Sequence, residues 1–189
     1  MIGAVLAGGA GTRLGSGSKA AVVLAGRPLV SYPVQAMAAV CERVVVVCKR
    51  ASELPPLGGI ERWDEPDEPR HPLTGILHAL ERADGPVLVC ACDMPFVTSD
   101  ACRSLMQAPG HSPAVVASAE GRLEPVLGLY APAALELLRP AAAGAPLTAS
   151  VESLTPVRVA LPPAIVRSVN TPEELAAAEQ LMAADRTVR

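Results

Sequence analysis

The sequence predicts an α/β fold, and two observations lead to that prediction. Several short runs of β-branched residues alternate with Ala- and Leu-rich stretches of helical period, which is the pattern of βαβ units and a mostly parallel sheet. The chain has 189 residues, of which 50% are hydrophobic and only 19% are charged, and this composition fits one globular unit with a substantial core. We therefore expect a single three-layer α/β/α domain over residues 1–189, with a Rossmann-like central sheet.

The individual elements follow from the two periodicities. The candidate strands are apolar, β-branched runs at 2–6, 43–48, 87–91, 114–117, 126–130 and 165–168. The candidate helices are stretches of helical period at 28–40, 73–82, 99–107 and 133–138. A C-terminal helix has the clearest start signal, because Thr171 can cap it, Pro172 suits its first turn and Glu174 completes a capping box.

Two Pro-rich segments interrupt the alternation of strands and helices. They span residues 64–72 and 144–156, and we expect both to be loops or lids over the edge of the sheet. Neither segment is long enough to be an interdomain linker, and the sequence holds no internal repeat. The prediction of one domain therefore stands.

Charge and hydropathy exclude several classes of partner. The formal net charge is -3 and the pI is about 5.6, so the chain offers no basic field to nucleic acid or to an anionic membrane surface. No apolar run reaches the roughly 18 residues that span a bilayer, and the N-terminus lacks the basic stretch and cleavage site of a signal peptide. We expect a cytoplasmic protein that binds neither nucleic acid nor membrane.

The cysteines are expected to be reduced thiols that pack in the core. Their number is odd and they lie in apolar or helical surroundings, which favours a reducing compartment over a disulfide framework. The pair in Cys90-Ala-Cys92 lacks a second CxxC or HxxxH pair elsewhere, so a zinc site is disfavoured. The five cysteines are Cys41, Cys48, Cys90, Cys92 and Cys102.

Residues that directly follow the strands are the first candidates for function. In an open parallel sheet, ligands bind in the crevice beyond the carboxyl ends of the strands. The positions that meet this criterion are residues 7–19, Lys49, residues 92–96 and Asn170. Most of the chemistry in these positions lies in the first of them, a glycine-rich loop.

That loop does not match the two commonest phosphate-binding motifs. Leu14 stands at the third glycine position of G-x-G-x-x-G, and the acidic residue expected about 20 positions later is missing. Lys19 is preceded by Ser18 and followed by Ala20, which excludes the GK[ST] ending of a Walker A loop. The sequence therefore predicts neither a dinucleotide site nor a P-loop kinase.

What the loop retains suits a triphosphate. Gly8, Gly9 and Gly11 allow backbone amides to approach an anion closely. Arg13 and Lys19 lie six positions apart and can reach successive phosphates. We predict that these groups bind a triphosphate and stabilise a pyrophosphate leaving group. A glycine turn flanked by two solvated charges is the alternative interpretation.

Asp93 is the candidate metal ligand. It follows the buried strand run of "PVLVCAC", and a carboxylate at a strand end suits Mg²⁺, which commonly takes one or two protein carboxylates together with phosphate oxygens and water. A turn or N-cap aspartate is the alternative interpretation. The next helix is predicted to begin later, at Ser99 or Asp100, and this spacing favours the metal.

The opening loop also carries a family resemblance. "LAGGAGTRLGSGSKA" together with "GRPLV" resembles the signature LAGGxxxRMGxxKxxxxxxGxPL of the molybdenum cofactor guanylyltransferase family, which comprises MobA-like nucleotidyltransferases. The likeness continues through "HPLTGILHAL", "CACDMPF", "LEPVLGLY" and "VNTPEEL", in the order of the family.

The resemblance implies a fold and a reaction. The fold would be that of the nucleotide-diphospho-sugar transferases. The reaction would be Mg²⁺-dependent transfer of GMP from GTP to molybdopterin or its molybdenum-loaded form, giving molybdopterin guanine dinucleotide and pyrophosphate. A molybdoenzyme or a chaperone would be a further partner.

The resemblance also implies roles for single residues. Asp93 stands where the family's aspartate binds Mg²⁺ and nucleotide, and an asparagine comparable with Asn170 completes the metal shell in the wider superfamily. The other matching positions are Leu6, Ala7 and Gly8 for the base and sugar, Lys19 for the phosphates, and Asp64 for the nucleotide.

The predicted chemistry rests on a few charged groups and the loop backbone. Arg13, Lys19 and Asp93 are expected to carry catalysis. The two cations neutralise the charge that builds on the leaving pyrophosphate, and Asp93 holds the Mg²⁺ ion. The amides of Gly9 and Gly11 are expected to help bind the nucleotide.

One position departs from the family pattern. Val47 stands where the family has an asparagine after its second strand, and a valine cannot hydrogen-bond a base or a ribose. Three alternatives therefore stay open: a cytidylyltransferase on the same pterin, another phosphate-acceptor nucleotidyltransferase, and a non-catalytic nucleotide-binding module. The acceptor is expected to lie over residues 121–130 and 144–156, with Arg122 as the candidate cation.

Overall fold

A mostly parallel sheet forms the centre of the molecule. The structure, a computed structural model, describes residues 1–9 and 18–187. In spatial order the strands of the main sheet are β5 (Glu61–Glu65), β4 (Arg43–Lys49), β1 (Ile2–Leu6), β6 (Val87–Ala91), β8 (Arg122–Tyr130), β7 (Ala114–Ala119) and β9 (Val157–Ala160). Strand β8 runs antiparallel to both of its neighbours, and the other adjacent pairs are parallel. A separate antiparallel hairpin joins β2 (Val23–Leu24) to β3 (Arg27–Pro28).

Helices cover both faces of the sheet. In chain order they are α1 (Ser31–Ala38), α2 (Pro72–Arg82), α3 (Ser99–Gln107), α4 (Ala133–Leu138), α5 (Leu147–Glu152) and α6 (Pro172–Thr187). Helices α1 and α3 pack with one core cluster, whereas α2, α4 and α5 pack with another. Helix α6 packs against the β2–β3 hairpin in a third, smaller cluster.

Strand β4 shows why the sequence folds in this way. Val44 and Val46 contribute to the core under α1 and α3, and Val45 and Val47 contribute to the core under α2. All four are buried, because side chains alternate along a strand and both faces of this sheet are covered. A continuous apolar run is therefore what a central strand needs, and the predicted three-layer α/β architecture is confirmed.

The last predicted strand is wrong. Residues 165–168 form no strand; Ile165 N donates to the carbonyl oxygen of Pro162 in a turn, and the chain then extends to α6. The apolar side chains of Val166 and Val169 are buried in packing contacts rather than in a strand ladder. The strand at this edge of the sheet is β9, which pairs in parallel with β7.

Other boundaries also differ from the prediction. The helix predicted over 28–40 is shorter, because its first residues belong to the hairpin strand β3 and to a turn. The segment 64–72 begins as the end of β5 and finishes as the first residue of α2, so only 66–71 is a loop. The segment 144–156 contains α5, whose Val151 is buried under the sheet with α2 and α4, so it is not a lid.

Two further features agree with simple sequence arguments. Cys48, Cys90, Cys92 and Cys102 are buried, and all five cysteines are free thiols. Within the described ranges, no helix combines the length and the apolar composition needed to cross a membrane.

Candidate functional site

A cavity of about 420 Å³ opens at the carboxyl edge of the sheet. Strands β1, β4, β5 and β6 all run in the same direction, so the residues that end them lie side by side at this edge. Leu6 from β1, Lys49 from β4, Glu65 from β5 and Ala91 from β6 all line the cavity. The topology therefore places the cavity where ligands bind in open parallel sheets.

Three residues that are distant in sequence meet on one side of the cavity. Lys19 Nζ donates to Asp93 Oδ2 in a short ion pair, and it donates to Asn170 Oδ1 at 2.6 Å. The side chains of Lys19 and Asp93 are only 14% and 16% exposed. The structure thus brings together the predicted phosphate lysine and both predicted metal ligands.

Local structure fixes Asp93 and Asn170 in place. Asp93 comes two residues after β6, and its carbonyl oxygen accepts from Val169 N at 2.8 Å, which ties the two segments together. Asn170 Nδ2 donates to Ser168 Oγ at 2.8 Å, so the amide oxygen is directed to Lys19. The two oxygen donors therefore face one cation from separate segments of the chain.

The predicted capping box at α6 is confirmed and supports Asn170. The carboxylate of Glu174 accepts from the backbone N–H groups of Asn170 at 2.6 Å and Thr171 at 3.1 Å. Thr171 Oγ1 accepts in return from Glu174 N at 3.2 Å. This reciprocal pair satisfies free amides at the helix start and holds the backbone of Asn170 at the cavity.

The residues of the opening loop fall into three groups. Leu6 and Gly8 line the cavity, as does Gly9. Ala7 is buried and extends the sheet, because its N–H donates to the carbonyl oxygen of Val47 at 2.7 Å. Gly11 and Arg13 lie outside the described residues, so their predicted roles stay predictions.

Asp64 faces away from this group. Its carboxylate accepts from Arg62 Nε at 2.6 Å and is 42% exposed, whereas its neighbour Glu65 faces the cavity. Arg62 also donates to the carbonyl oxygen of Lys49 at 2.8 Å, so the pair anchors the start of the loop after β4. A nucleotide contact by Asp64 remains a prediction.

A buried ion pair, which the sequence interpretation missed, lines the cavity on the other side. Glu65 Oε1 lies 3.4 Å from Lys49 Nζ, and the two side chains are 5% and 10% exposed. Burial raises the pKa of the Glu65 carboxyl, and the charge of Lys49 opposes that shift. The spacing of Glu61, Trp63 and Glu65 could have revealed it, because Glu65 shares the side of the strand with a buried tryptophan.

The part of the cavity wall near β8 contains both polar and apolar side chains. Glu124 and Val126 line the cavity together with Ser168. Burial raises the pKa of the Glu124 carboxyl, and the negative charge of Asp93 adds to the shift. Arg122, the candidate cation for an acceptor, is exposed and does not line the cavity.

The donors beside Lys19 fit Mg²⁺. A carboxylate oxygen and an amide oxygen, from Asp93 and Asn170, converge on one cationic group, and oxygen donors are what Mg²⁺ requires. In the described part of the chain, no cluster of three His, Cys, Asp or Glu side chains forms a metal cage. This small donor set matches an ion that completes its shell with phosphate oxygens and water.

The sheet edge, the glycines after β1 and the lysine–aspartate pair together define a class of enzyme. A cationic group, a candidate metal ligand and glycines that line one cavity are the parts needed to hold a triphosphate and stabilise a pyrophosphate leaving group. The fold and site are those of an α/β nucleotidyltransferase.

Comparison with known proteins identifies the family. The chain belongs to the family of the MobA-like NTP transferase domain, whose model matches residues 3–157. It is 33% identical over 193 residues to a molybdenum cofactor guanylyltransferase of Cereibacter sphaeroides, and the match covers 98% of each chain.

Solved structures agree with this assignment. The molybdopterin-guanine dinucleotide biosynthesis protein A of Archaeoglobus fulgidus superposes with a TM-score of 0.78 at 26% identity, over 97% of this chain and all of the other. A 2-C-methyl-D-erythritol 4-phosphate cytidylyltransferase of Thermus thermophilus shares the fold, with a TM-score of 0.72 at 21% identity over 96% of this chain and 98% of the other. The family resemblance and the nucleotidyltransferase fold predicted from sequence are therefore confirmed.

Proposed function

We propose that this protein transfers GMP from GTP to the terminal phosphate of molybdopterin, with or without bound molybdenum, and releases pyrophosphate. The relatives that carry the guanylyltransferase name support the choice of nucleotide and acceptor. The observation that carries the proposal is the meeting of Lys19, Asp93 and Asn170 at the edge of a cavity that Gly8 and Gly9 also line.

The reaction needs positioning more than acid–base chemistry. A phosphate oxygen of the acceptor attacks the α-phosphorus of GTP, a new P–O bond forms, and the bond to the β-phosphate oxygen breaks in line. The electron pair of that bond leaves with pyrophosphate. The acceptor is already an anion, so no general base has to remove a proton. The protein accelerates the step by holding the reactants together and neutralising the developing charge.

Lys19 is the described cation best placed for that neutralisation. Its ammonium group is held at the cavity by Asp93 and Asn170, and its three N–H donors suit phosphate oxygens. Gly8 and Gly9 line the same cavity and can offer backbone amides to a phosphate. These donors would face the pyrophosphate as its charge grows.

Asp93 and Asn170 are the residues that would hold Mg²⁺. When bound, this ion supplies positive charge that neutralises the triphosphate and favours departure of pyrophosphate. The carboxylate of Asp93 is the one charged ligand in the pair, so its removal should weaken metal binding more than removal of the Asn170 amide.

A cytidylyltransferase on the same acceptor is the second candidate, and Val47 is the observation that favours it. Val47 is buried between Leu6 and Trp63 in the strand register and does not line the cavity. It offers no hydrogen bond to a guanine, unlike the asparagine of the family pattern.

Release of pyrophosphate in the presence of molybdopterin tests the proposal. We expect release with GTP and Mg²⁺ and a loss of about 10²- to 10³-fold in Asp93→Asn, the loss typical of one removed charge-stabilising group. Asp100→Asn, at an exposed position of α3, is the matched control and should keep the wild-type rate. Release of pyrophosphate from CTP but not from GTP, under the same conditions, would support the cytidylyltransferase alternative. Binding of GTP without release would support a non-catalytic module.

A further inference from the structure

The order of the strands along the sheet edge indicates how a nucleotide could lie in the cavity. Along the sheet edge, Glu65 lies at the end of β5, Lys49 at β4, Gly8 after β1 and Asp93 after β6. Three strand intervals separate β5 from β6, which is about 14 Å at the usual spacing between strands. A nucleotide whose phosphates contact Lys19 and Asp93 can therefore extend along the edge toward β5 and place its base beside Glu65.

Two glycines make room for the Glu65 carboxylate. A Cβ on Gly8 would fall well inside van der Waals contact with Glu65 Oε1, and a Cβ on Gly75 would lie 2.9 Å from Glu65 Oε2. Both glycines line the cavity together with Glu65. The carboxylate therefore packs between two backbone segments that carry no side chain, and from there it lines the cavity.

Lys49 holds the carboxylate but leaves it with acceptor capacity. The Lys49 ammonium contacts Glu65 at 3.4 Å, donates to the carbonyl oxygen of Pro66 and lies 3.5 Å from that of Pro69. Its three N–H groups are thus shared between Glu65 and the loop that follows β5. A carboxylate has about four lone-pair sites, so one ammonium contact leaves Glu65 able to accept further hydrogen bonds.

The position of this pair also bears on the Val47 departure. Val47 and Lys49 lie on the same face of β4, two residues apart, and Trp63 and Glu65 lie on the same face of the adjacent β5. The apolar pair Val47 and Trp63 is buried in the core, and the polar pair follows it directly at the cavity. The family pattern has a hydrogen-bonding residue at position 47. In this chain the hydrogen-bonding groups lie two residues later, at Lys49 and Glu65.

We propose that Glu65 is the residue that selects the base, by accepting both adjacent N–H donors on the Watson–Crick edge of guanine. This inference rests on the proposed function and adds to it the residue that determines nucleotide specificity. Guanine presents N1–H and N2–H₂ side by side, which matches the two oxygens of one carboxylate. Cytosine and adenine present one amino donor next to a ring nitrogen acceptor, so the second oxygen would face a lone pair. Lys49 acts as a positioning residue that fixes Glu65.

Nucleotide binding to Glu65→Gln tests the proposal with little change of shape. The amide offers one acceptor and one donor, which is the pattern that cytosine and adenine complement. In calorimetric titrations with Mg²⁺, wild type should bind GTP about 10- to 100-fold more tightly than inosine triphosphate, which lacks the 2-amino group. In Glu65→Gln the GTP to inosine triphosphate ratio should approach one, and the GTP to CTP ratio should fall by about 10- to 100-fold.

Glu61→Gln is the matched control. Glu61 lies on the same strand and the same face, accepts from Trp63 Nε1 at 2.7 Å, and does not line the cavity. The same chemical change there should leave both ratios at their wild-type values. The positioning role of Lys49 is checked by the same ratios: Lys49→Arg should keep them and Lys49→Met should lower them.

The outcomes separate this inference from the proposed function. If Glu65→Gln keeps the wild-type ratios, or if wild type prefers CTP, the inference is overturned while nucleotidyl transfer stands. If wild type shows the expected ratios but releases no pyrophosphate, base selection by Glu65 is supported and the proposed function fails. A wild type that binds none of these nucleotides overturns both.

Discussion

Replacing Lys19 by methionine should reveal how much the cation beside Asp93 matters to folding and to turnover. Methionine keeps most of the side-chain length but removes the ammonium group that contacts Asp93 and Asn170. The Asp93 carboxylate, 16% exposed, then lies beside the Asn170 amide oxygen without its positive partner. The variant should therefore lose both stability and catalytic rate.

The magnitude follows from the type of contact. Loss of a hydrogen bond to a charged group costs about 1.5 to 3 kcal/mol. For a chain of this size, that free energy corresponds to a fall in Tm of about 3 to 12 °C. Loss of one donor that stabilises the leaving pyrophosphate should lower the rate of pyrophosphate release by about 10²- to 10³-fold.

A double variant distinguishes this account from general damage to the fold. Lys19→Met combined with Asp93→Asn removes the uncompensated charge, so its Tm should recover toward wild type while turnover stays lost. Arg103→Met is the control, because its ion pair with Asp100 is exposed and should contribute about 0 to 1 kcal/mol. Thermal unfolding and pyrophosphate release are the assays. A single variant as stable as wild type, or a double variant whose losses simply add, would refute the reasoning.

Three further predictions concern the surroundings of the site. Gly8→Ala should displace Glu65 from Lys49, since the new Cβ would overlap the carboxylate; GTP titration should show weaker binding, and unchanged affinity would contradict the packing. Glu174→Ala should lower the free energy of unfolding by about 0.5 to 2 kcal/mol in urea melts, because it removes the capping box that supports Asn170. Burial raises the pKa of Glu65 above 4.5, so the folded state binds more protons than the unfolded state just above that pH. The stability of wild type should therefore fall as pH rises through that window, relative to Glu65→Gln; parallel pH profiles would contradict it.

The central strands could be predicted because both of their faces are buried. Val44 to Val47 in β4 read as an uninterrupted apolar run, which needs no knowledge of neighbouring strands. The edge strand β5 carries the charged residues Glu61, Arg62 and Asp64 at exposed positions. It therefore lacks the apolar pattern from which the other strands were predicted. Strand β9 alternates between half-buried and exposed residues over only four positions, which is too short for periodicity to detect.

The same reasoning explains which site residues were predictable. Lys19 ends the loop segment that follows β1, and Asp93 comes two residues after β6. Both carry chemistry that suits a phosphate or a metal, so the rule for parallel sheets finds them. Asn170 was singled out because it follows a predicted strand that does not exist and because the wider superfamily has a comparable asparagine, and the structure still places it beside Lys19. Glu65 was missed, since its role depends on the pairing of β5 with β4, and no local pattern reports that pairing.

The most direct test of the account is the fate of the α-phosphate of GTP. The protein, Mg²⁺ and molybdopterin are incubated with GTP labelled at either the α- or the γ-phosphate, and the products are separated. We predict that the α-label appears in a guanine dinucleotide of the pterin and the γ-label in pyrophosphate, and that both are lost in Asp93→Asn. Label that enters the pterin from the γ-phosphate, or an Asp93→Asn variant with the wild-type rate, would contradict the proposed nucleotidyl transfer at this site.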